Sequence, residues 1–301
     1  MPEVTIGLWG MPAWRAGDFA AIAEMAALAE RKGIDRLDVP DHLLMSENLE
    51  VYPYADVPPA AARENFYEPL TILAALADRT SRIRLSTGIL ISPLRSAVFL
   101  AKQAATLDVI SNGRLDLGIG VGWQKEEFDA SGVPWEGRYA YMDEQVLACK
   151  QLWSQSPASF SGKRIAFERV YSMPLTVQAG GIPIWYGLAP TDRNFGRIAE
   201  LGDGWMPSPL EHDADKLKTH IQALRAAFTA RGRDPDSVKV QAKPRVIRDT
   251  NGAPDIEATL AQFDAFAAAG VTSLYMATHY LCSDKSDYEK VLERIVAHRP
   301  W

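Results

Sequence analysis

The chain has 301 residues, of which 47% are hydrophobic and 23% charged, and its formal net charge is −6 at pH 7. These values are ordinary for a soluble globular enzyme with one large domain or two smaller ones. The acidic balance, with no block of like charges, argues against nucleic acid as a main partner, because phosphate binding needs a basic face.

Two cysteines, Cys149 and Cys282, are too few for a disulfide framework or a zinc cluster. The first residues lead straight into a predicted strand, with no basic segment and no long apolar stretch before it. We therefore expect a cytoplasmic protein that does not engage a membrane.

Strand and helix patterns alternate from the beginning of the chain. A short apolar run at Val4–Trp9 predicts the first strand, and a helix follows, with Asp18 as its cap and Gly33 at its end. The second strand is predicted at Ile34–Val39. Residues 40–64 then form a long segment rich in proline and tyrosine, and loops of this length are usually functional or disordered.

The alternation continues to the last residues. Helical spacing of Leu70, Leu73, Ala74 and Ala77 predicts the second helix. Residues 156–178 break the rhythm and are predicted to be an irregular insert with a hairpin. Further strands are predicted at 83–87, 115–120, 183–187, 204–206, 238–246 and 271–277, and further helices at 96–111, before Trp153, at 192–201, 213–231 and 256–269, and around Tyr288 to Ile295.

Eight strand–helix units in about 300 residues predict a TIM (β/α)8 barrel that forms a single domain over residues 1–301. A doubly wound open sheet is the alternative. In a TIM barrel the chemistry lies at the carboxyl ends of the strands. That rule selects residues at or just after the ends of predicted strands, namely Trp9, Gly10, Asp41, His42, Thr87, Gly88, Ile89, Gly120, Val121, Gly122, Trp123, Gly187, Leu188, Ala189, Met206, Thr278 and His279.

Asp41 and His42 directly follow the second strand. A histidine there can donate a proton or bind a ring carbonyl, because its pKa is easily tuned near neutrality, and Asp41 can orient it. The alternative is a pair that only orders the loop behind it.

Two glycine-containing strand ends are candidates for ligand contact. Thr87-Gly88-Ile89 is either a plain strand end or a bulge that presses backbone against one face of a tricyclic ring. Gly118-Ile-Gly-Val-Gly122 lacks the G-x-G-x-x-G spacing, since Trp123 stands at the last position. Its backbone N–H groups suit a polar or anionic ligand edge, whereas close helix–strand packing is the alternative.

Several other chemistries are excluded. No H-x-H pattern follows the first strand, and there is no G-x-S-x-G motif. A glycosidase needs two carboxylates at strand ends, and only Asp41 is clearly so placed. Glu126 and Glu127 are interpreted as a solvated pair in the first turn of a helix, stabilised by its dipole.

The chain resembles the luciferase-like monooxygenase superfamily, specifically its branch that depends on the deazaflavin F420. The segments that carry the resemblance cover much of the chain and include Ser81-Arg-Ile-Arg-Leu-Ser-Thr-Gly88, Gly113-Arg-Leu-Asp-Leu-Gly-Ile-Gly-Val-Gly-Trp123 and Leu201-Gly-Asp-Gly-Trp205. They are specific for the superfamily and much less specific for the substrate. The resemblance implies a TIM barrel with an insert.

The resemblance also assigns roles to residues. It implies that F420 lies against the Gly88–Ile89 peptide, which is often cis in such proteins, and that His42 is the proton donor or the partner of a ring carbonyl. It implies an apolar substrate site shaped by Trp9, Trp123 and the loop that follows His42, and His279 is a further candidate there. The cofactor-binding residues would be Asp41, Thr87, Gly88, Ile89, Gly120, Val121, Gly122, Gly187, Leu188, Ala189 and Thr191.

The chain departs from its relatives at three places. Relatives that oxidise sugar phosphates carry a glutamate where Trp123 stands and a tryptophan where Ser46 stands, so a small apolar organic substrate is expected instead. Where the family commonly reads Gly-Gly-Ser, this chain reads Gly187-Leu-Ala-Pro-Thr191. Its backbone N–H groups and the Thr191 hydroxyl are still expected to hold a phosphate.

The resemblance further implies a homodimer that pairs through the helices at 66–79 and 96–111, and a separate enzyme that reduces the cofactor. Two alternatives stay open: a monooxygenase on the same fold that uses FMN, and a flavin-binding barrel without enzymatic activity. A bulky replacement, Gly88→Val, is expected to weaken cofactor binding without changing the melting temperature.

Overall fold

The computed structural model describes residues 2–47, 64–208 and 210–298. Most of the predicted loop at 40–64 therefore lies outside the described residues. In chain order the strands are β1 (Glu3–Gly7), β2 (Arg36–Val39), β3 (Arg84–Thr87), β4 (Leu90–Ile91), β5 (Leu115–Gly120), β6 (Ala158–Ser161), β7 (Ala166–Val170), β8 (Ile184–Leu188), β9 (Gly204–Pro207), β10 (Lys239–Ala242) and β11 (Ser273–Ala277).

Eight of these strands form a closed parallel barrel. Hydrogen bonding runs in the order β3-β2-β1-β11-β10-β9-β8-β5, and β5 pairs again with β3, where Leu85 lies opposite Leu115 and Ser86 opposite Asp116. This last pairing closes the sheet on itself. The TIM barrel is therefore confirmed, and the open sheet is excluded.

Helices surround the barrel. They are α1 (Pro12–Ala16), α2 (Phe19–Lys32), α3 (Pro69–Asp78), α4 (Ala97–Ile110), α5 (Lys125–Ala130), α6 (Arg138–Ser154), α7 (Asp192–Leu201), α8 (Ala214–Thr229), α9 (Ile256–Leu260), α10 (Phe263–Ala269) and α11 (Lys285–Ala297). Over the part of the chain that the structure describes, none of them combines the length and the apolar character needed to cross a membrane.

Local sequence signals set the helix ends. The Asp18 carboxylate accepts a hydrogen bond from the Ala21 N–H at the start of α2, and Gly33 ends that helix with a φ of 90°. Such a positive φ favours glycine, because a Cβ would be strained there. Both ends agree with the prediction from the sequence.

Three predicted elements differ from the structure. The seventh barrel strand is shorter than residues 238–246 and ends at Ala242. The helix expected before Trp153 divides into α5 and α6, because Gly132 and Gly137 between them both take positive φ. The helix expected at 256–269 divides into α9 and α10, and Gln262 at the junction donates its side-chain amide to the Thr259 and Arg245 carbonyls.

An antiparallel hairpin formed by β6 and β7 lies within the insert expected at 156–178. It contacts α6 through Glu144, whose carboxylate accepts hydrogen bonds from the backbone N–H groups of Arg164 and Ile165. The hairpin is thus attached to the outer helix α6. Gln178, at the end of the insert, contacts the barrel itself, because its side-chain amide donates to the Leu115 carbonyl of β5 and accepts from Arg84 of β3.

A charged layer fills the lower part of the barrel interior. Arg36 Nε lies 2.9 Å from Asp116 Oδ2, and its Nη2 lies 2.7 Å from Glu3 Oε2. Arg84 Nη2 lies 2.6 Å from the other Asp116 oxygen. Two arginines therefore face two carboxylates, and the layer is electrically balanced. Asp38, two residues beyond Arg36 on β2, belongs to the next layer toward the carboxyl ends of the strands.

Candidate active site

A cavity of about 210 Å³ opens at the carboxyl ends of the barrel strands. Nine of the residues selected from the sequence line it: Trp9, Asp41, His42, Gly88, Ile89, Gly122, Trp123, Gly187 and Met206. Nine others are absent from its lining: Gly10, Thr87, Gly120, Val121, Leu188, Ala189, Thr191, Thr278 and His279. The strand-end rule therefore located the cavity and about half of its expected residues.

His42 is held at the cavity by a buried glutamate. Its Nδ1 lies 3.2 Å from Glu127 Oε2, and the other Glu127 oxygen accepts hydrogen bonds from the backbone N–H of Leu43 at 2.6 Å and of Leu44 at 3.4 Å. A carboxylate can only accept, so it favours the proton on Nδ1 and leaves Nε2 for the cavity. The pair is arranged to hold or move one proton at Nε2.

The position of Glu127 corrects the sequence interpretation. It was expected to be solvated, yet its side chain is fully buried, while that of His42 keeps 12% exposure. The short helix α5 turns Glu127 inward and leaves Glu126 half-buried beside it. A buried carboxylate is retained only where hydrogen bonds or an opposite charge compensate it, and His42 with the two N–H groups provides that compensation.

Asp41 does not orient His42. Its carboxylate receives a bidentate pair from Arg95, at 2.6 and 3.1 Å, and the backbone N–H of Ile91 at 2.8 Å. Arg95 also reaches Glu68 at 3.0 Å. Asp41 thus borders the cavity while its charge fastens the end of β2 to the residues after β4.

The Gly88–Ile89 peptide is cis, as the resemblance suggested. Two glycines make room for the Ile89 side chain: a Cβ on Gly120 would lie 2.6 Å from Ile89 Cδ1, and a Cβ on Gly187 would lie 2.6 Å from its Cγ2. Thr87 faces away from the cavity and donates its hydroxyl to the Gly118 carbonyl. Gly120 and Thr87 therefore support the Gly88–Ile89 bulge from the side opposite the cavity.

Gly88 allows close approach of a carboxyl group. A Cβ at this position would lie 1.8 Å from Asp38 Oδ2. The expectation that Gly88→Val leaves the melting temperature unchanged is therefore wrong on geometry, because any side chain here would displace the buried Asp38.

The residues after β8 do not form a loop whose polar groups are free to bind a phosphate. Leu188 is buried in the core. The Thr191 hydroxyl caps α7 by accepting the Asn194 N–H, and the Thr191 N–H donates to the Ala189 carbonyl. Val121, after β5, is also core. None of these side chains reaches the cavity, and only Gly187 borders it.

Aromatic rings form one wall of the cavity. The His42 ring meets Phe66 and Trp123 edge to face, with centroids 5.0 and 5.6 Å apart, and Phe66 also contacts Trp9 at 5.5 Å. Such a wall excludes water from the His42 ring and suits an apolar ligand.

His279 lies behind that wall. Its ring packs edge-on against Trp9, with centroids 5.1 Å apart, and both ring nitrogens are without a partner among the described residues. Burial lowers the pKa of His279 to about 3, so the ring is neutral near pH 7. Trp14, in α1 after the first strand, is fully buried and donates its indole N–H to the Asn65 carbonyl.

Sequence reasoning missed the polar floor of the cavity. Asp38 on β2, Gln241 on β10 and Tyr275 on β11 meet there. Burial raises the pKa of Asp38 to about 7, and the Asp116 carboxylate adds to the rise, while the neighbouring Ser86 hydroxyl, the charge of Arg36 and the Gln241 amide oppose it. A carboxylate inside a predicted buried strand was the only available signal.

The closed parallel barrel, with its polar and aromatic cavity at the carboxyl ends of the strands, defines a TIM-barrel enzyme architecture. The family model for luciferase-like monooxygenases matches residues 5–296. The chain therefore belongs to the luciferase-like monooxygenase family, whose members are oxidoreductases.

Comparisons with individual proteins agree with this family assignment. An uncharacterised protein of Mycobacterium tuberculosis is 33% identical over 228 residues, which are 74% of this chain and 79% of that protein. The monooxygenase RslO1 from Streptomyces bottropensis superposes with a TM-score of 0.81 at 21% identity, covering 99% of this chain and 98% of its own. The F420-dependent tetrahydromethanopterin reductase from Methanopyrus kandleri superposes at 0.74 with 18% identity, covering 99% and 97%. At these identities the two structures show the fold.

Proposed function

We propose that this protein is an oxidoreductase that uses the deazaflavin F420 and transfers a hydride to or from a small organic substrate in the cavity. The observation that carries the proposal is the bulge: Gly88–Ile89 presents its backbone to the cavity, and the Ile89 side chain is tucked between Gly120 and Gly187. A flat ring can approach such a surface because no side chain stands between them.

The surroundings of the bulge fit a deazaflavin. The ring would be held by Gly88, Ile89 and Gly187, with Gly122 beside them. When bound, F420 supplies a carbon that gives or accepts a hydride. The F420-dependent reductase from Methanopyrus kandleri shares the barrel, so the fold is compatible with this cofactor.

His42 would supply the matching proton. Reduction of a carbonyl group or a carbon–carbon double bond consumes one hydride and one proton, and oxidation releases both. His42 Nε2 faces the cavity while Glu127 holds Nδ1, so the ring can give or take that proton without turning. Trp9, Phe66 and Trp123 would keep water from the reacting atoms.

The decisive experiment measures two dissociation constants on one preparation. The purified protein is titrated with F420 and with FMN, and turnover is then followed anaerobically, with reduced F420 and a panel of ketones and enones and with oxidised F420 and a panel of alcohols. We expect F420 to bind at least about tenfold more tightly than FMN and to support turnover.

Tighter binding of FMN, with oxygen-dependent turnover when a separate reductase supplies reduced FMN, would replace the proposal with the monooxygenase alternative. Binding without turnover over the whole panel would favour a flavin-binding barrel. Failure of both cofactors to bind would overturn the proposal altogether.

We also propose that the chain forms a homodimer through α4. Four large apolar side chains of this helix are strongly exposed: Val98, Phe99, Val109 and Ile110. Among the described residues, α3 exposes no comparable side chain, so α4 would dominate the interface expected from the resemblance. Exposed apolar patches of this kind commonly mark association surfaces.

A further inference from the structure

Two acceptor oxygens stand unpaired on the floor of the cavity. Asp38 and Gln241 both line it, with only 4% and 8% exposure. Among the described residues, Asp38 Oδ1 and Gln241 Oε1 have no hydrogen-bond partner. Native proteins pair nearly all buried acceptors, so two unpaired oxygens on side chains that line one cavity can be matched by a donor that the ligand brings.

The arginines of the charged layer below Asp38 are already paired with other carboxylates. Arg36 is paired with Asp116 and Glu3 in the layer below, and Arg84 is paired with Asp116 as well. Within residues 2–47, 64–208 and 210–298, no cationic nitrogen lies within 4 Å of the Asp38 carboxylate. The carboxyl group is therefore not the second half of a structural ion pair.

The Asp38 carboxyl group also lies directly against the bulge, since a Cβ on Gly88 would reach Oδ2 at 1.8 Å. We propose that Asp38 and Gln241 form an acceptor subsite that binds an N–H or O–H donor of the ligand at the end that enters the barrel. The inference rests on the proposed function in one respect, namely that the ligand occupies this cavity.

Two sources carry that chemistry: the imide N–H of a flavin or deazaflavin ring, and a hydroxyl group of the substrate. Either one changes the specificity expected from the sequence. The aromatic side chains suit an apolar ligand, whereas Asp38 and Gln241 require a hydrogen-bond donor at the end of that ligand that lies deepest in the barrel. A site built to pair such a donor discriminates strongly against an analogue that lacks it, because its own oxygens are then left unpaired.

The ionisation of Asp38 gives the subsite a pH dependence. Burial raises the pKa of Asp38 to about 7. The groups around it are Ser86 on β3, Asp116 on β5, Gln241 on β10 and Tyr275 on β11, together with Arg36 on its own strand. Lys243, which follows β10, lines the same cavity with its Nζ 5.6 Å from the centre of the Tyr275 ring. An ionised carboxylate accepts a hydrogen bond more strongly than a neutral one, so binding of a donor should tighten as the pH rises through about 7.

The first arm of the test uses lumiflavin and 3-methyllumiflavin, which differ only in the imide N–H. If the ring is the source, the wild-type protein should bind lumiflavin at least about tenfold more tightly, and Asp38→Leu, which removes both carboxyl oxygens, should remove most of that ratio. Leucine keeps the branched shape of the side chain, so the steric cost of the added methyl group is similar in both proteins. Asp236→Asn, at a side chain 78% exposed in the turn before β10, is the control and should keep the wild-type ratio.

The second arm uses 4-hydroxyacetophenone and 4-methoxyacetophenone, titrated into the protein with and without F420. If the substrate is the source, the hydroxyl compound should bind at least about tenfold more tightly, and Asp38→Leu, which removes both carboxyl oxygens, should abolish the preference. Gln241→Met, which removes the amide oxygen at similar length, should act in the same direction and serves if the Asp38 variant does not fold.

Equal ratios in the wild type and in both variants, in both arms, would overturn the subsite. If the wild-type protein bound neither lumiflavin nor F420, the proposed function would fail instead, and the acetophenone pair without cofactor would decide the subsite by itself. The two failures are therefore distinguishable.

Discussion

Asp38 should make this protein less stable as the pH rises. Burial raises its pKa from 3.8 to about 7. Between these values the folded chain keeps a proton that the unfolded chain loses. This contribution to stability is fully present below about pH 4 and is lost as the pH rises through about 7. Asp38→Asn removes the ionisable group and keeps its shape.

The size of the Asp38 pKa shift determines how much stability depends on pH. About three pKa units at 1.36 kcal/mol each correspond to about 4 kcal/mol of stability lost between low and high pH. About 3 kcal/mol of that total falls between pH 5 and pH 8. Relative to the wild type, Asp38→Asn should therefore gain about 3 kcal/mol in the free energy of unfolding over this interval.

The assay is urea unfolding followed by tryptophan fluorescence at pH 5, 6, 7 and 8, on the wild type, Asp38→Asn and the exposed control Asp236→Asn. The control should run parallel to the wild type, because replacements at such surface positions change stability little. If Asp38→Asn also ran parallel to the wild type, Asp38 would have its ordinary pKa in the folded state, and the argument from burial would be wrong.

Three further predictions concern the site and the association of chains. His42→Ala should lower turnover by about 10²-fold or more and change cofactor affinity by less than about tenfold, and full activity of the folded variant would place proton transfer elsewhere. Glu127→Gln should lower turnover by at least about tenfold, because the glutamine amide can donate a hydrogen bond to His42 Nδ1 and so move the ring proton to Nε2. Gly120→Ala should destabilise the fold by about 1–3 kcal/mol, because its new Cβ would clash with Ile89 Cδ1 at 2.6 Å. Adding Ile89→Val, which removes that Cδ1 atom, should recover part of the loss, whereas additive thermal shifts of the two replacements would contradict this contact. Phe99→Glu on the exposed face of α4 should reduce the mass measured by light scattering from that of two chains to that of one, and a wild-type protein that is already monomeric would refute the dimer.

Local sequence patterns were sufficient for the barrel and for the position of the cavity. Strand and helix periods, the Asp18 cap and the Gly33 end depend on neighbours within one or two turns, so they can be seen in the sequence. The carboxyl ends of parallel strands must meet at one edge of the barrel, which placed His42, Gly88 and Trp123 around the same cavity.

Tertiary structure alone decided which carboxylates act in the site. Glu127 meets His42 across 85 positions of sequence, and Asp41 meets Arg95 across 54. Adjacency suggested that Asp41 orients His42 and that Glu127 is solvated, and both expectations were wrong. The environment of a charge depends on what packs around it from distant strands and helices, and a one-dimensional pattern records only its spacing. For the same reason Asp38 could be recognised as a buried acid only after Gly88, Gln241 and Tyr275 had been brought to it by the closure of the barrel.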